Sequence, residues 1–381
     1  MMGNVKINRF VPGLWLGFYL TAFPLCAAPD SIQPVTPDPS PEAVALLRFV
    51  SSLSGKHTLT GQHNFPNTKD ASTQEALKTY GKVPAIFGQD FGFAAPGDKD
   101  AVAARPDIIA ECKRQYEKGS IITLCWHAVP PTADEPVTFR PNRGDGAVTN
   151  RLASVQGRLT DEQWNELTTP GTELYRHWCA QVDVIAGYLK QLQQAHIPVL
   201  WRPYHEMNGD WFWWGGRSGE RGTKLLYRQL FDRLANHHKL NNLIWIWSVD
   251  RPSTPERQFA DFFPGANYFD IAALDVYRSD FNPSYYNDLF KLAAGKPIAL
   301  AEVGPAPTLA VLEQQPQWTW WMTWAGMVAG RGNAGTNALV NLVNSPRSWS
   351  LSDPSFLEAI APIRAASGLP RLDAPLAPTT K

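Results

Sequence analysis

The chain has 381 residues, 44% of them hydrophobic, so it can bury a large core, and α/β barrels of this size often form one domain. Its 35 basic residues are balanced by 35 acidic ones, which leaves no net field to draw it to nucleic acid or an anionic membrane. A neutral polymer is the more natural partner.

Lys6 and Arg9 precede an apolar run from Phe10 to Leu25, and Cys26-Ala27-Ala28 follows it, the layout of a secretory signal with small residues at its cleavage point. Pro12, Gly13 and Pro24 break the run, which argues against a permanent membrane span. Cys26 is a poor lipid-attachment site because Phe23-Pro24-Leu25 lacks small residues. We therefore expect residues 1–28 to be a signal peptide and the protein to be exported, to the periplasm or beyond. Cys112, Cys125 and Cys179 remain, an odd set that leaves at least one thiol free. One disulfide between Cys112 and Cys125 is conceivable, but buried, inert thiols are the commoner outcome.

Pro29, Pro34, Pro37, Pro39 and Pro41 mark residues 29–41 as an extended leader. The folded barrel unit is expected over 42–368, with a tail over 369–381. Within it, short apolar runs alternate with amphipathic stretches, which argues for parallel strands joined by helices. The expected strands are His57–Gln62, Ala85–Asp90, Ile121–His127, Pro198–Arg202, Leu243–Trp247, Ile271–Asp275, Ile298–Glu302 and Trp318–Trp324. Eight of them predict a closed single-domain (β/α)8 TIM barrel rather than an open sheet. Helical spacing appears at Asp107–Lys118, Glu173–Gln194, Thr223–Lys239 and Ser284–Leu292, and Thr160-Asp-Glu-Gln163 has the form of a capping box. The connection from Val129 to Thr169 is long and rich in proline and glycine. Following a strand, it belongs on the face where barrels place their sites, and we read it as one wall of an open substrate cleft. Trp245 and Trp247 alternate along a strand and are expected to point into the barrel, from where either could reach the cleft.

The most informative segment is Trp201-Arg-Pro-Tyr-His-Glu-Met-Asn-Gly-Asp-Trp-Phe-Trp-Trp-Gly215. It sets Glu206 beside an imidazole and among large aromatic rings, which suits a sugar cleft: aromatic faces cover the C–H surfaces of a pyranose while a carboxylic acid protonates the glycosidic oxygen. The alternative is a tryptophan-rich loop packed over the barrel end with Glu206 paired to Arg202. Strands converge at their carboxyl ends, so Glu206, after the fourth strand, can meet Glu302, which ends the seventh. Retaining glycoside hydrolysis requires two carboxyl groups about 5–5.5 Å apart. Glu302, at the end of a clean apolar strand with Gly304 leaving room for a ligand, suits the nucleophile; Glu206, whose aromatic surroundings raise its pKa, suits the acid that later becomes a base. His57, His63, His127 and His205 invite a metal reading, but no metal-ligand spacing accompanies them, and we expect neither metal nor cofactor.

The order His57-Thr-Leu-Thr-Gly-Gln-His63, Phe87-Gly-Gln-Asp90, Trp126-His127, Arg202-Pro-Tyr-His-Glu206 with Trp211-Phe-Trp-Trp-Gly215, Leu274-Asp-Val-Tyr277, Ala301-Glu302 and Trp320-Trp-Met-Thr-Trp324 resembles glycoside hydrolase family 26, best known for secreted β-mannanases. The likeness runs over nearly all of the chain after residue 28. It implies a retaining (β/α)8 enzyme that needs no cofactor, with Glu206 as acid/base and Glu302 as nucleophile. It also implies that His127, His205, Trp211, Asp275 and Tyr277 line the sugar site, and that Trp324 is an aromatic platform. Tyr277 is expected to hydrogen-bond the nucleophile. Ala325 departs from members that carry an arginine there for a more distant sugar, which bears on subsite strength but not on the reaction. The expected substrate is mannan, glucomannan or galactomannan, cut internally at β-1,4 bonds. Mixed-linkage β-glucan or β-1,3-xylan is the alternative for the same mechanism, and a non-catalytic carbohydrate-binding barrel is the alternative of another class. A monomer is the favoured state.

Overall fold

A strand covered on both faces reads as a continuous apolar run, and that is what the eight expected strands become. The computed structural model describes residues 32–92, 101–139, 154–328 and 332–374. The strands are β1 (Thr58–His63), β2 (Ile86–Asp90), β3 (Ile121–Trp126), β4 (Val199–Pro203), β5 (Leu243–Asp250), β6 (Ile271–Tyr277), β7 (Ile298–Gly304) and β8 (Trp318–Thr323). All neighbours pair in parallel, and β1 pairs with both β2 and β8, closing the barrel. A short β9 (Ser348–Trp349) adds to the start of β1. The (β/α)8 expectation holds. β5, β6 and β7 run past their expected ends to Asp250, Tyr277 and Gly304, because Asp250 still pairs with Asp275, and Tyr277 with Gly304.

The helices are α1 (Pro41–Leu53), α2 (Ala71–Tyr80), α3 (Ala101–Glu117), α4 (Asp161–Leu167), α5 (Glu173–Gln193), α6 (Thr223–Phe231), α7 (Pro283–Ala293), α8 (Leu309–Gln314), α9 (Gly332–Val343), α10 (Pro354–Ala359) and α11 (Ala361–Ala366). α3 starts earlier than expected and carries Pro106 inside it. The helix expected over 223–239 is α6 followed by a wider π turn, Asp232–His237. The capping box forms: Gln163 N–H donates to Thr160 Oγ1 (3.2 Å) and Thr160 N–H to Gln163 Oε1 (2.9 Å). Cys112, Cys125 and Cys179 are buried free thiols, with no disulfide among the described residues.

Two apolar layers sandwich the strands. Inside and below the barrel, Leu59, Ile86, Leu200, Ile244, Ile246, Ala273, Ala299, Trp320 and Met322 pack with Leu46, Val50, Phe356 and Ile363 of the helices that close its floor. Outside, the strands meet the ring of helices. Trp245 and Trp247 belong to this outer layer, contrary to the expectation that they point inward. Trp245 packs on Tyr227 and Phe231 of α6, and Trp247 on Phe263 and Phe269. The inward positions beside them are held by Ile244 and Ile246, since adjacent residues of a strand face opposite sides.

The described part of the leader, residues 32–40, is a strap fastened beneath the barrel rather than a free spacer. Val35 N–H donates to Asp270 Oδ1 (2.7 Å), Thr36 Oγ1 to the Leu243 carbonyl (2.9 Å) and Ser40 N–H to the Asn241 carbonyl (2.9 Å). At the other end Arg364 Nε donates to the Pro370 carbonyl (2.7 Å), and Leu372 packs against the floor cluster. The barrel unit thus reaches beyond 42–368 at both ends. The expected signal peptide, and the tail beyond 374, lie outside the described residues.

Candidate active site

Alternation along the strands turns the floor into a site. Counting by twos from the buried apolar inward residues Leu59, Ile86, Ile121, Leu200, Ile246 and Ala273 leads to His63, Asp90, His127, Arg202, Asp250 and Asp275 at the mouth. Glu302 breaks this count. β6 and β7 pair Leu274 with Leu300 and Asp275 with Glu302, so Ala301 is an extra residue on β7. That bulge turns Glu302 inward beside Asp275.

Arg202 joins the two carboxylates. Its Nη1 donates to Asp275 Oδ2 (2.7 Å) and its Nη2 to Glu302 Oε2 (2.5 Å), while Ser248 Oγ holds Asp275 Oδ1 (3.0 Å). Arg202 thus pairs with Glu302 and Asp275, not with Glu206. Tyr277 O–H donates to Glu302 Oε1, as expected. The space beside Gly304 is not open to a ligand: a Cβ there would meet the Tyr277 ring at 2.9 Å and, closer still, Met327.

Glu206 sits on a turn that places both Tyr204 (φ 46°) and Glu206 (φ 50°) in the left-handed region, an uncommon conformation for such side chains that costs of order 1–3 kcal/mol each. Its surroundings hold the turn: Asn208 Nδ2 donates to the Asp250 carbonyl (2.7 Å), Gly209 N–H to the Glu206 carbonyl (2.8 Å) and Trp214 Nε1 to the His205 carbonyl (2.9 Å). Trp211 Nε1 donates to Glu206 Oε2 at 2.6 Å. Burial, and then the charges of Glu302, Asp275 and Asp250, push the Glu206 carboxyl well above its ordinary range, against the opposing Trp211 bond. Glu206, Asp275 and Glu302 each bring a carboxylate oxygen within 4.8 Å of the others.

A histidine row lies alongside. Asp90 Oδ1 accepts from the backbone N–H of Gly92 (2.6 Å) and His127 (3.1 Å), Asp90 Oδ2 meets His127 Nδ1, and His127 Nε2 lies 3.2 Å from His205 Nε2. Although burial opposes it, His127 leads the groups that draw Asp90 down to about 2. Burial and then Arg202 drive His205 well below its ordinary value, so its ring is neutral. Trp324 stacks on His63 at 3.8 Å, and Phe139, from the described start of the long connection after β3, packs on His127 (5.7 Å), which brings that part of the connection to the site. Donor atoms of His63, Asp90 and Cys125 also lie within 4.8 Å of one another, but both oxygens of Asp90 are already engaged. In the carboxylate cluster Arg202 supplies the positive charge.

All eight expected site residues therefore converge, but the aromatic loop works differently from its sequence reading. Phe212, Trp213 and Trp214 are 4%, 2% and 0% exposed and pack the loop onto the barrel; only Trp211 is partly open. Arg202, Ser248, Asn208 and Asp250 complete the site without having been singled out as site residues. The period-two count along β4 and β5 is the signal that finds Arg202, Ser248 and Asp250.

Two facing carboxyl groups at the mouth of a closed parallel barrel, one on a strand end and one on an aromatic-lined turn, have the architecture of a barrel glycosidase. The sequence matches glycosyl hydrolase family 26 over residues 35–350. The chain belongs to that family. It is 33% identical over 299 residues to a mannan endo-1,4-β-mannosidase of Thermothelomyces thermophilus, covering 76% of this chain and 56% of that protein. It is 32% identical over 352 residues to a mannan endo-1,4-β-mannosidase of Bacillus subtilis, covering 84% and 89%. Among solved structures, GH26A from a Muricauda species superposes with a TM-score of 0.74 at 38% identity, covering 83% of this chain and 98% of that one. The chain spans about half the length of several curated relatives that it matches.

Proposed function

We propose that the chain is an exported, retaining endo-β-1,4-mannanase that cuts mannan, glucomannan or galactomannan. The observation that carries the mechanism is the approach of the Glu206 and Glu302 carboxylate oxygens to within 4.8 Å, which favours retention; an inverting pair stands about 6.5–9.5 Å apart to admit water. Support for the substrate comes from relatives named mannan endo-1,4-β-mannosidases. Export rests on the sequence pattern of residues 1–28.

In the first step a Glu302 oxygen bonds to the anomeric carbon as the C–O bond to the leaving sugar breaks, and Glu206 gives that oxygen its proton. In the second, Glu206 takes a proton from water, whose oxygen displaces Glu302 from the anomeric carbon and regenerates both carboxyl groups. Arg202 and Tyr277 hold the nucleophile in place from two sides, which keeps the attack geometry narrow.

The deciding experiment is the product profile on mannan, glucomannan and mixed-linkage β-glucan, with the anomer of the first product followed by NMR. Short β-configured manno-oligosaccharides from internal cleavage are expected. First-formed α products would overturn retention, cleavage of β-glucan alone would move the substrate, and oligosaccharides that stay bound and uncut would mark a binding barrel. The N-terminal sequence of exported protein tests cleavage after Ala28.

A further inference from the structure

Trp211, which holds the acid/base, is itself held. Its benzo edge lies over Gly209, where a Cβ would collide with it, and the Arg257 guanidinium carbon stands over its ring, 5.1 Å from the centroid. Arg257 is fixed at four points, one of them its Nη1 donating to Ser253 Oγ (3.3 Å). Its Nη2 donates to Asp210 Oδ1 (2.6 Å), its N–H donates to the Thr254 carbonyl (3.1 Å), and its own carbonyl accepts from Asn208 Nδ2 (3.0 Å). Asn208 also bonds both backbone groups of Asp250, donating to its carbonyl and accepting from its N–H, each at 2.7 Å. The connection after β5 is thereby buckled to the turn after β4 across the acid/base.

We propose that Arg257 is a positioning residue: it presses Trp211 into the orientation in which Nε1–H stays on Glu206, so that the β5–β6 connection sets the strength of the acid. This rests on the reading of Glu206 as acid/base. A cation over an indole face is attracted by the ring's negative quadrupole, and here the cation is anchored by an ion pair outside the pocket. Releasing it lets the indole swing. Glu206 then loses its stabilising donor while the burial and neighbouring carboxylates that disfavour its charge remain, and it becomes a weaker acid.

The test compares mannohexaose, whose leaving group needs protonation, with dinitrophenyl β-mannobioside, whose leaving group does not. For Arg257→Ala, kcat/KM on mannohexaose is expected to fall about two- to fivefold, with its basic limb moved to higher pH, and to stay unchanged on the aryl substrate. Arg257→Lys, which keeps the cation, is expected to restore most of the loss. Equal losses on both substrates with an unmoved limb, or no loss on either, would overturn the proposal. Carboxyl NMR titration of Glu206 in glutamate-labelled wild type and Arg257→Ala, assigned with Glu206→Gln, separates this inference from the functional one. If the wild type cuts no β-mannoside, the functional reading fails on its own, and a Glu206 titration that does not move in Arg257→Ala overturns the clamp.

Discussion

The floor and the mouth of this barrel are built from the same strands, a few residues apart, with opposite chemistry. On the floor, Leu59, Leu200, Ile246, Trp320 and Met322 interdigitate with the closing helices, and their hydrophobic burial holds the molecule together. At the mouth, the next inward positions carry His63, Asp90, Arg202, Asp250 and Asp275, joined by Glu302 through the β7 bulge. There, charges are buried against one another, Tyr204 and Glu206 sit in left-handed conformations, and a glutamic acid is held against its ionised form. A barrel can keep so strained an end because the other end is apolar, closed and capped. Stability and chemistry are separated along the strand axis.

That separation is open to attack, beginning with the mouth. Replacing Glu302 by Ala is expected to lower turnover roughly 10⁴-fold or more while the melting temperature stays near that of wild type. A folded variant with wild-type rates would remove Glu302 from the chemistry. On the floor the pattern reverses. Trp320→Ala should cost about 3–5 kcal/mol in denaturant unfolding, with kcat per folded molecule unchanged below the transition; a large kcat loss in the fully folded variant would show that the two ends are coupled.

The mouth should also carry a pH dependence of stability of its own. His63 is fully buried, neither ring nitrogen has a hydrogen-bond partner among the described residues, and desolvation leads the causes that lower its pKa to about 3 from 6.5. Its depressed value means that the unfolded chain takes up a proton which the folded chain refuses. The stability it contributes is complete above pH 6.5 and declines as the pH falls toward 3, by about 3 kcal/mol between pH 6.5 and about 4. Unfolding curves across that interval should lose this slope in His63→Phe, and an unchanged slope would place the acid sensitivity elsewhere.

The smallest expected effect concerns the acid itself. Trp211→Phe keeps a ring but removes the donor to Glu206, and kcat/KM should fall roughly tenfold. Glu206 must be protonated for the first step, so activity falls as the pH rises through its elevated pKa, and losing the donor should move that limb further up. A limb that moves down would contradict the role given to this hydrogen bond.

Much of this was readable from the sequence. Eight runs of strand length, most of them apolar and separated by helical spacing, imply a parallel barrel, because strands buried on both faces lose their polar alternation. Motif order singled out Glu206, Glu302, His127, His205, Trp211, Asp275, Tyr277 and Trp324, and all of them meet at one opening. The tertiary structure decided what local pattern could not contain. By strict alternation from Ala299, Glu302 would face the helices, and only the extra residue in the β6–β7 register turns it inward. The Trp-Phe-Trp-Trp run looks like one cleft wall, yet three of its rings fill the space over the barrel and one reaches the site. Arg202 could have paired with a neighbour in sequence, but convergence of β4, β6 and β7 set it between Asp275 and Glu302. Composition and periodicity determine which residues are buried and in what element; which charges face each other depends on strand register and closure, and these are settled only when the chain packs against itself.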